Sequence, residues 1–244
     1  MLYRERCFHF FYASGQQKER IKQMNVLISG TSMGIGKATA QKFLDEGHTV
    51  WGLDIKGASI THPRYTHYVG DVRNTEDYPK GLKPHILISD AGVQDSGEDI
   101  EVNLKGAILF TEHFAMANEN IKSVVIVGSA SGHTGSEFPE YVASKGGLMA
   151  YAKNVAIRLA PRAICNSIDP GGVTTEMNRP VMRDPVLWKQ IMEQTPLKRW
   201  ASPEEIAEWI YFVAVVNRFM TGQNLLIDGG EAGNAKFIWP EQRF

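Results

Sequence analysis

Cysteine is scarce in this 244-residue chain. Cys7 and Cys165 are the only two, too few for a disulfide framework and without the spacing of a metal-ligand cluster. A reduced compartment follows as the expectation, with the cytoplasm as default and no metal. Long apolar runs are missing as well. No stretch approaches the roughly 18 residues of a membrane span, so no membrane partner is expected. Nor is there a block of one charge. The formal charge is −1 at pH 7, and phosphate binding needs clustered Lys and Arg, which argues against nucleic acid as a partner. A small-molecule partner fits the composition better.

What is present is enough apolar material, 43%, to bury a full core in one domain. The first 23 residues differ in character. CFHFFY is aromatic and QQKERIKQ is charged, and His9 interrupts an apolar part too short for a signal peptide. They read as a disordered or loosely docked extension, and the compact domain begins at Met24. From there β-branched runs alternate with helical patterns. VLIS precedes a helix over 37–47, HTVWGLD a short connection, YTHYVGD no helix, HILIS a helix over 98–118, and SVVIVGS a helix over 141–160. AICNSID, a late helix over 203–216 and NLLIDGG follow. Alternation of this kind implies right-handed βαβ crossovers, hence an α/β fold with a doubly wound parallel sheet in a single domain. SVVIV is apolar throughout, as a strand covered on both faces must be.

Directly after the first strand comes Gly30-Thr31-Ser32-Met33-Gly34-Ile35-Gly36. Glycines there let the backbone turn sharply and approach a pyrophosphate, whose charge sits at the following helix N-terminus. A glycine cluster alone is often only a turn, but this one joins a strand to a helix at the first turn of the sheet. The second strand ends in Asp54, 18 positions after Gly36. A carboxylate there accepts hydrogen bonds from an adenosine ribose and repels a 2′-phosphate, so NAD is preferred over NADP. Lys37 and Lys56 leave that choice open, since either can approach a 2′-phosphate. Asp71-Val72, after the third strand, marks a place where adenine can rest, although Gly-Asp is also ordinary turn chemistry.

Tyr141 and Lys145 stand four residues apart and share one helix face. A tyrosine titrating near its usual pKa of about 10 is a poor acid-base group at neutral pH, and a neighbouring ammonium favours the phenolate. Ser129, twelve residues before Tyr141 at the carboxyl end of SVVIVG, offers a hydroxyl to polarise a carbonyl. A lone Y-x-x-x-K arises often by chance. Its place after a strand-end serine gives it weight.

With these motifs in order, the chain resembles the short-chain dehydrogenase/reductases, whose domain is a Rossmann fold. The pattern is matched by Gly30 with TSMGIG, by SDAG at Ser89 to Gly92, by Asn103 in VNLKG, by Ser129, by YVASK, by DPGGVTT from Asp169 to Thr175, and by GQN and IDGG near the C-terminus. The resemblance implies that Tyr141 transfers the proton, Ser129 hydrogen-bonds the substrate oxygen, and Lys145 tunes Tyr141 and holds the nicotinamide ribose. Asn103 would support a water relay to Lys145, though an interior helical Asn also reads as a buried packing residue. Cofactor contacts would come from Gly30, Ser32, Met33, Gly34, Ile35, Gly36, Asp54, Asp71, Val72, Asp90, Ala91, Gly92, Tyr141, Lys145, Pro170, Gly171, Val173 and Thr175. The family's usual assembly is a homodimer or homotetramer, through the two long helices and the last strand, and the apolar tail Phe237 to Pro240 reads as docking.

The chain departs from the pattern at Asp90, where the family has asparagine. An aspartate loses two amide donors and adds a charge. The interval from Gly92 to Asn103 and the turn before AICNSID are also short. Substrate choice is expected to depend on Val93, Gln94, His133, Thr134, Phe138 and the stretch 176–200, which holds Met177, Met182, Trp188 and Met192. That stretch reads as an adaptable lid or as a helix packed on its own domain, and His133 as a substrate contact or simply an exposed side chain. Three functions are carried forward: an NAD-dependent dehydrogenase acting on a small or medium alcohol or ketone, an NADPH-dependent 3-oxoacyl-thioester reductase, and a non-catalytic nucleotide-binding subunit.

Overall fold

A computed structural model describes residues 23–136 and 138–234. The N-terminal extension and the apolar tail of the sequence reading lie almost wholly outside these. Seven parallel strands form one sheet in the order β3-β2-β1-β4-β5-β6-β7. They are β1 (Asn25–Ser29), β2 (Thr49–Asp54), β3 (Tyr65–Val69), β4 (Ile86–Ser89), β5 (Ser123–Val127), β6 (Ile164–Pro170) and β7 (Asn224–Ile227). Strand order reverses between β1 and β4, which opens a crevice at their carboxyl ends where ligands of such sheets bind.

Alternation along each strand feeds two cores. Val26 and Ile28 of β1 join Phe43 and Leu44 of α1 (Gly34–Asp45) and Ile206 and Ile210 of α7 (Pro203–Tyr211) on one face. Leu27 points the other way, to Phe110 and Phe114 of α2 (100–116) and Leu148 and Val155 of α4 (Pro139–Leu159). Every residue of β5 is buried, as its apolar run requires. The four expected helices are all present, with two differences. Helix α1 starts at Gly34 instead of Lys37, because the glycine loop itself supplies the first turn. Helix α2 is wound as π-helix at Ile100–Gly106 and again at Glu112–Met116, flanking an α-helical turn at Ala107–Thr111.

The lid stretch contains two short helices, α5 (Arg179–Arg183) and α6 (Pro185–Gln194), neither of which buries a residue. A one-turn helix, α3 (Ser131–Thr134), follows β5. Among the described residues no helix is long and apolar enough to cross a membrane.

Candidate active site

The glycine loop is shaped by side chains that are not there. Gly30 and Gly34 adopt positive φ (82° and 56°), the left-handed region. A Cβ on Gly36 would lie 2.2 Å from the Gly30 carbonyl oxygen, and one on Gly30 would lie 2.9 Å from the Ala91 nitrogen. The loop is therefore pressed flat against the SDAG segment. Helix α1 has no side-chain cap at Met33 and no acidic residue in its first turn, so, apart from the Gly36 N–H that meets Asp90, its N-terminal N–H groups and dipole are left for an anion. Thr175, far along the chain, comes within contact distance of where a Gly34 Cβ would be (3.5 Å). These features fit the pyrophosphate of a dinucleotide.

Asp54 closes β2 beside this loop. Its carboxylate accepts from the Ser32 N–H at 2.9 Å and the Lys56 N–H at 2.8 Å, so it braces the loop. Lys56 stays nearby, its ammonium 3.7 Å from Met33 Sδ, whereas Lys37 is exposed. Asp71 is gripped by Arg73, which holds its carboxyl below the usual range, and Val72 packs its side chain inward against Gly106. The Asp71 side chain stays partly exposed (27%) and that of Val72 is buried.

On the catalytic side Ser129 sits at the end of β5 and is nearly buried. Its hydroxyl donates to Ser131 Oγ (3.1 Å) and accepts from the Ser131 N–H (3.2 Å). Tyr141 and Lys145 lie one turn apart on α4, as their spacing predicts, with the ammonium 5.6 Å from the phenol ring centroid. Lys145 is buried and donates to the Val127 carbonyl at 3.2 Å. Asn103 lies within the π-helical turn of α2. Its amide accepts from the Val93 N–H and donates to the Val93 carbonyl and Ser144 Oγ. Its side chain thus ties α2, the Gly92-Val93 loop and α4 together, and both of its amide donors are used.

The short interval before Asn103 is closed by Asp99, which accepts from the Asp95 and Ser96 N–H groups. On the far side of the crevice Ala130 N–H donates to the Pro170 carbonyl at 2.8 Å. Gly171 packs so closely on Asp228 that a Cβ would come within 2.7 Å, and Val173 is buried and bridges Ala201.

Asp90, the departure from the family pattern, has its carboxyl against Gly36, where a Cβ would stand 2.6 Å from Oδ2. Burial pushes this carboxyl up to about 7; Lys145 and the Gly36 N–H draw it down, and Asp54 pushes it further up. His133 is not a solitary exposed side chain. Its Nε2 meets Asp169 Oδ2 at 2.6 Å, with the imidazole about a quarter exposed (25%) and Asp169 fully buried. Sequence reading placed Asp169 only inside a motif and did not foresee Trp200, which covers Gly172 and meets Trp188 of α6 edge to face. For Asp169 the only signal was the one charge in a strand of uncharged residues. Trp200 carried none.

Comparison with known proteins agrees with this geometry. A family model described as enoyl-(acyl carrier protein) reductase matches residues 81–231. A glucose 1-dehydrogenase of Gluconobacter oxydans is 30% identical over 249 residues, 87% of this chain and 93% of that protein. The chain belongs to the short-chain dehydrogenase/reductase family. A 3-oxoacyl-[acyl-carrier-protein] reductase of Thermotoga maritima is likewise 30% identical, covering 86% of this chain and 98% of its own. Among solved structures, the aldohexose dehydrogenase of Thermoplasma acidophilum superposes with a TM-score of 0.79 at 27% identity, covering 91% of this chain and 98% of that one. A 4-hydroxyisoleucine dehydrogenase complexed with NADH gives 0.80 at 28%, covering 86% and 99%. The protein is a hydride-transfer oxidoreductase that uses a nicotinamide cofactor.

Proposed function

We propose that this chain is an NAD-dependent dehydrogenase interconverting a small or medium alcohol and its ketone. The observation that carries this is the buried Lys145 ammonium beside the Tyr141 ring, on a helix whose first turns face the Ser129 loop. A cation held there favours the phenolate. Ser129 aligns the substrate oxygen by hydrogen bonding, and Tyr141 takes the hydroxyl proton as an alcohol is oxidised and returns it when a ketone is reduced. The nicotinamide supplies or accepts the hydride. Its dinucleotide lies on Gly30, Ser32, Met33, Gly34, Ile35 and Gly36, with Asp54 on the ribose. Asp90, Ala91 and Gly92 lie behind it, the Asp71-Val72 backbone at the adenine, and Lys145, Pro170, Gly171, Val173 and Thr175 around the nicotinamide half. Asn103 positions Ser144 and the Val93 loop.

Residues 24–244 form the catalytic domain and 176–200 its lid, supported by the absence of buried side chains in α5 and α6 and by exposed Met177, Val186 and Leu187. Assembly as a homodimer or homotetramer is supported by the apolar face of α7 and its continuation, where Trp209, Phe212, Val216 and Phe219 are exposed. The protein works in the cytoplasm. A second reading, an NADPH-dependent reductase of 3-oxoacyl thioesters, is favoured by one observation, the Lys56 ammonium beside Met33 in the glycine loop.

A panel of alcohols, ketones, sugars and acetoacetyl thioesters, screened with both cofactors, tests the assignment. We expect turnover with NAD on an alcohol. In Tyr141→Phe kcat should fall at least roughly 100-fold while NAD binding persists. NADPH-dependent reduction of the thioester alone would select the second reading, and unchanged kcat in Tyr141→Phe would remove the proton-transfer role.

A further inference from the structure

The proton chemistry above leaves one buried ionisable pair unused. His133 of α3 and Asp169 of β6 meet at 2.6 Å. Asp169 Oδ1 has no partner at full hydrogen-bond geometry; the Ser167 hydroxyl, which bonds Asn224 at 3.0 Å, lies near enough to favour the carboxylate. Oδ1 occupies the space that Gly128 leaves empty, for a Cβ on Gly128 would fall 2.1 Å from it. The carboxylate is thus packed against main chain and holds no room for a ligand. A carboxylate buried in this way is costly. Burial pushes Asp169 up; the bonds from His133 and Ser167 and the Lys145 charge draw it back. An apolar residue would fill the position at lower cost, so packing does not account for the pair.

Location does. Two main-chain bonds already join these segments, Gly128 N–H to the Ile168 carbonyl and Ala130 N–H to the Pro170 carbonyl, each 2.8 Å. Ser129 lies between them in the chain. The pair adds a side-chain tie one turn further on, where α3 rests on α4. There a Cβ on Gly132 would stand 2.7 Å from Met149 Sδ and 3.0 Å from the Lys145 carbonyl carbon. Without it α3 is held to β6 only through the loop that carries Ser129.

We propose that His133 and Asp169 are positioning residues, a carboxylate–imidazole clamp that fixes the Ser129 loop against Pro170-Gly171 and so sets where the substrate oxygen lies. The inference rests on the oxidoreductase reading of Ser129 and Tyr141. The contact survives with the proton on either partner, because an imidazole N–H donates to a carboxylate and a protonated carboxyl donates to a ring nitrogen. Two charged groups face Asp169, His133 from α3 and Lys145 from α4, and Lys145 in turn faces Asp90 at the end of β4.

The test uses the full chain and an alcohol from the panel. In His133→Ala, kcat should fall roughly 10- to 100-fold, since loosening a reacting geometry is costly, with NAD affinity within about threefold of the parent. His133→Gln, whose amide nitrogen reaches the same oxygen, should restore most of the rate. Asp169→Asn, which keeps a hydrogen bond without charge, should do the same. Hydrogen exchange over 129–134 should rise in His133→Ala and not in His133→Gln. Unchanged kcat in His133→Ala, a Gln variant as slow as Ala, loss confined to Asp169→Asn, or unaltered exchange would each overturn the clamp. If the parent protein turns over nothing in the panel, the oxidoreductase reading of the substrate site fails. Exchange, which needs no substrate, still decides whether the clamp exists.

Discussion

The two halves of the site are built by opposite means. On the β1–β2 side, position comes from missing side chains and main-chain groups: Gly30, Gly34, Gly36 and the uncapped start of α1. On the β5–β6 side it comes from buried polar side chains that pair across the fold, Lys145 on the Val127 carbonyl, Asn103 on Val93 and Ser144, and His133 on Asp169. A backbone cradle suits an anion whose shape is constant. Paired side chains suit groups whose proton affinity must be set individually, because each partner adds its own electrostatic contribution.

If the first half is organised by empty space, filling it should have the largest effect. Gly36→Ala drives a methyl into the Gly30 carbonyl and the Asp90 carboxyl. We expect NAD affinity to drop at least roughly 100-fold by calorimetry, with far-UV dichroism retained; unchanged affinity would break the contrast. A smaller effect is expected at Asp54, whose carboxylate braces the loop. Asp54→Ala removes both the brace on Ser32 and the charge facing a 2′-phosphate, and the ratio of NAD to NADP affinities should fall roughly tenfold. A ratio that stays put while both affinities decline would reduce Asp54 to a brace.

The smallest effect concerns Asp90, where the two halves meet. Its carboxyl is raised from an unfolded value near 3.8 to about 7 in the fold. Ionisation is therefore easier in the unfolded chain. Its stabilising contribution is complete below the unfolded value and is lost as pH rises through the folded one. Asp90→Asn removes that loss, so Tm should rise by roughly 3–6 °C at about pH 8 and hardly at all near pH 4. A pH-independent change would mean that the carboxyl is not buried in the ionised form.

The sequence exposed these halves unequally. Glycines at fixed offsets, a strand-end acid and a Tyr-Lys pair one helical turn apart are local patterns, and each is where its spacing predicts. The strands were legible because burial on both faces demands continuous apolar runs. Pairings between strands were not. His133 read as solitary because Asp169 lies 36 positions away and meets it only once β5 and β6 are neighbours. The two π-helical turns of α2 leave no periodic signature, since a five-residue spacing over one or two turns is lost in the 3.6 pattern. A pairing was hidden even at short range, for Arg73, two positions from Asp71, grips its carboxylate.

Gly128 and Asp169 occupy one volume between them, for the carboxylate fills the space that a side chain at 128 would need. No side chain can enter at 128 while the aspartate stands at 169. A lineage acquiring alanine at 128 would have to surrender the aspartate at 169, and His133 would then lose the partner that orients it. Across descendants of this protein, a side chain at 128 should therefore appear only where the aspartate at 169 has already been replaced by something smaller, and an alignment of close relatives would show that order.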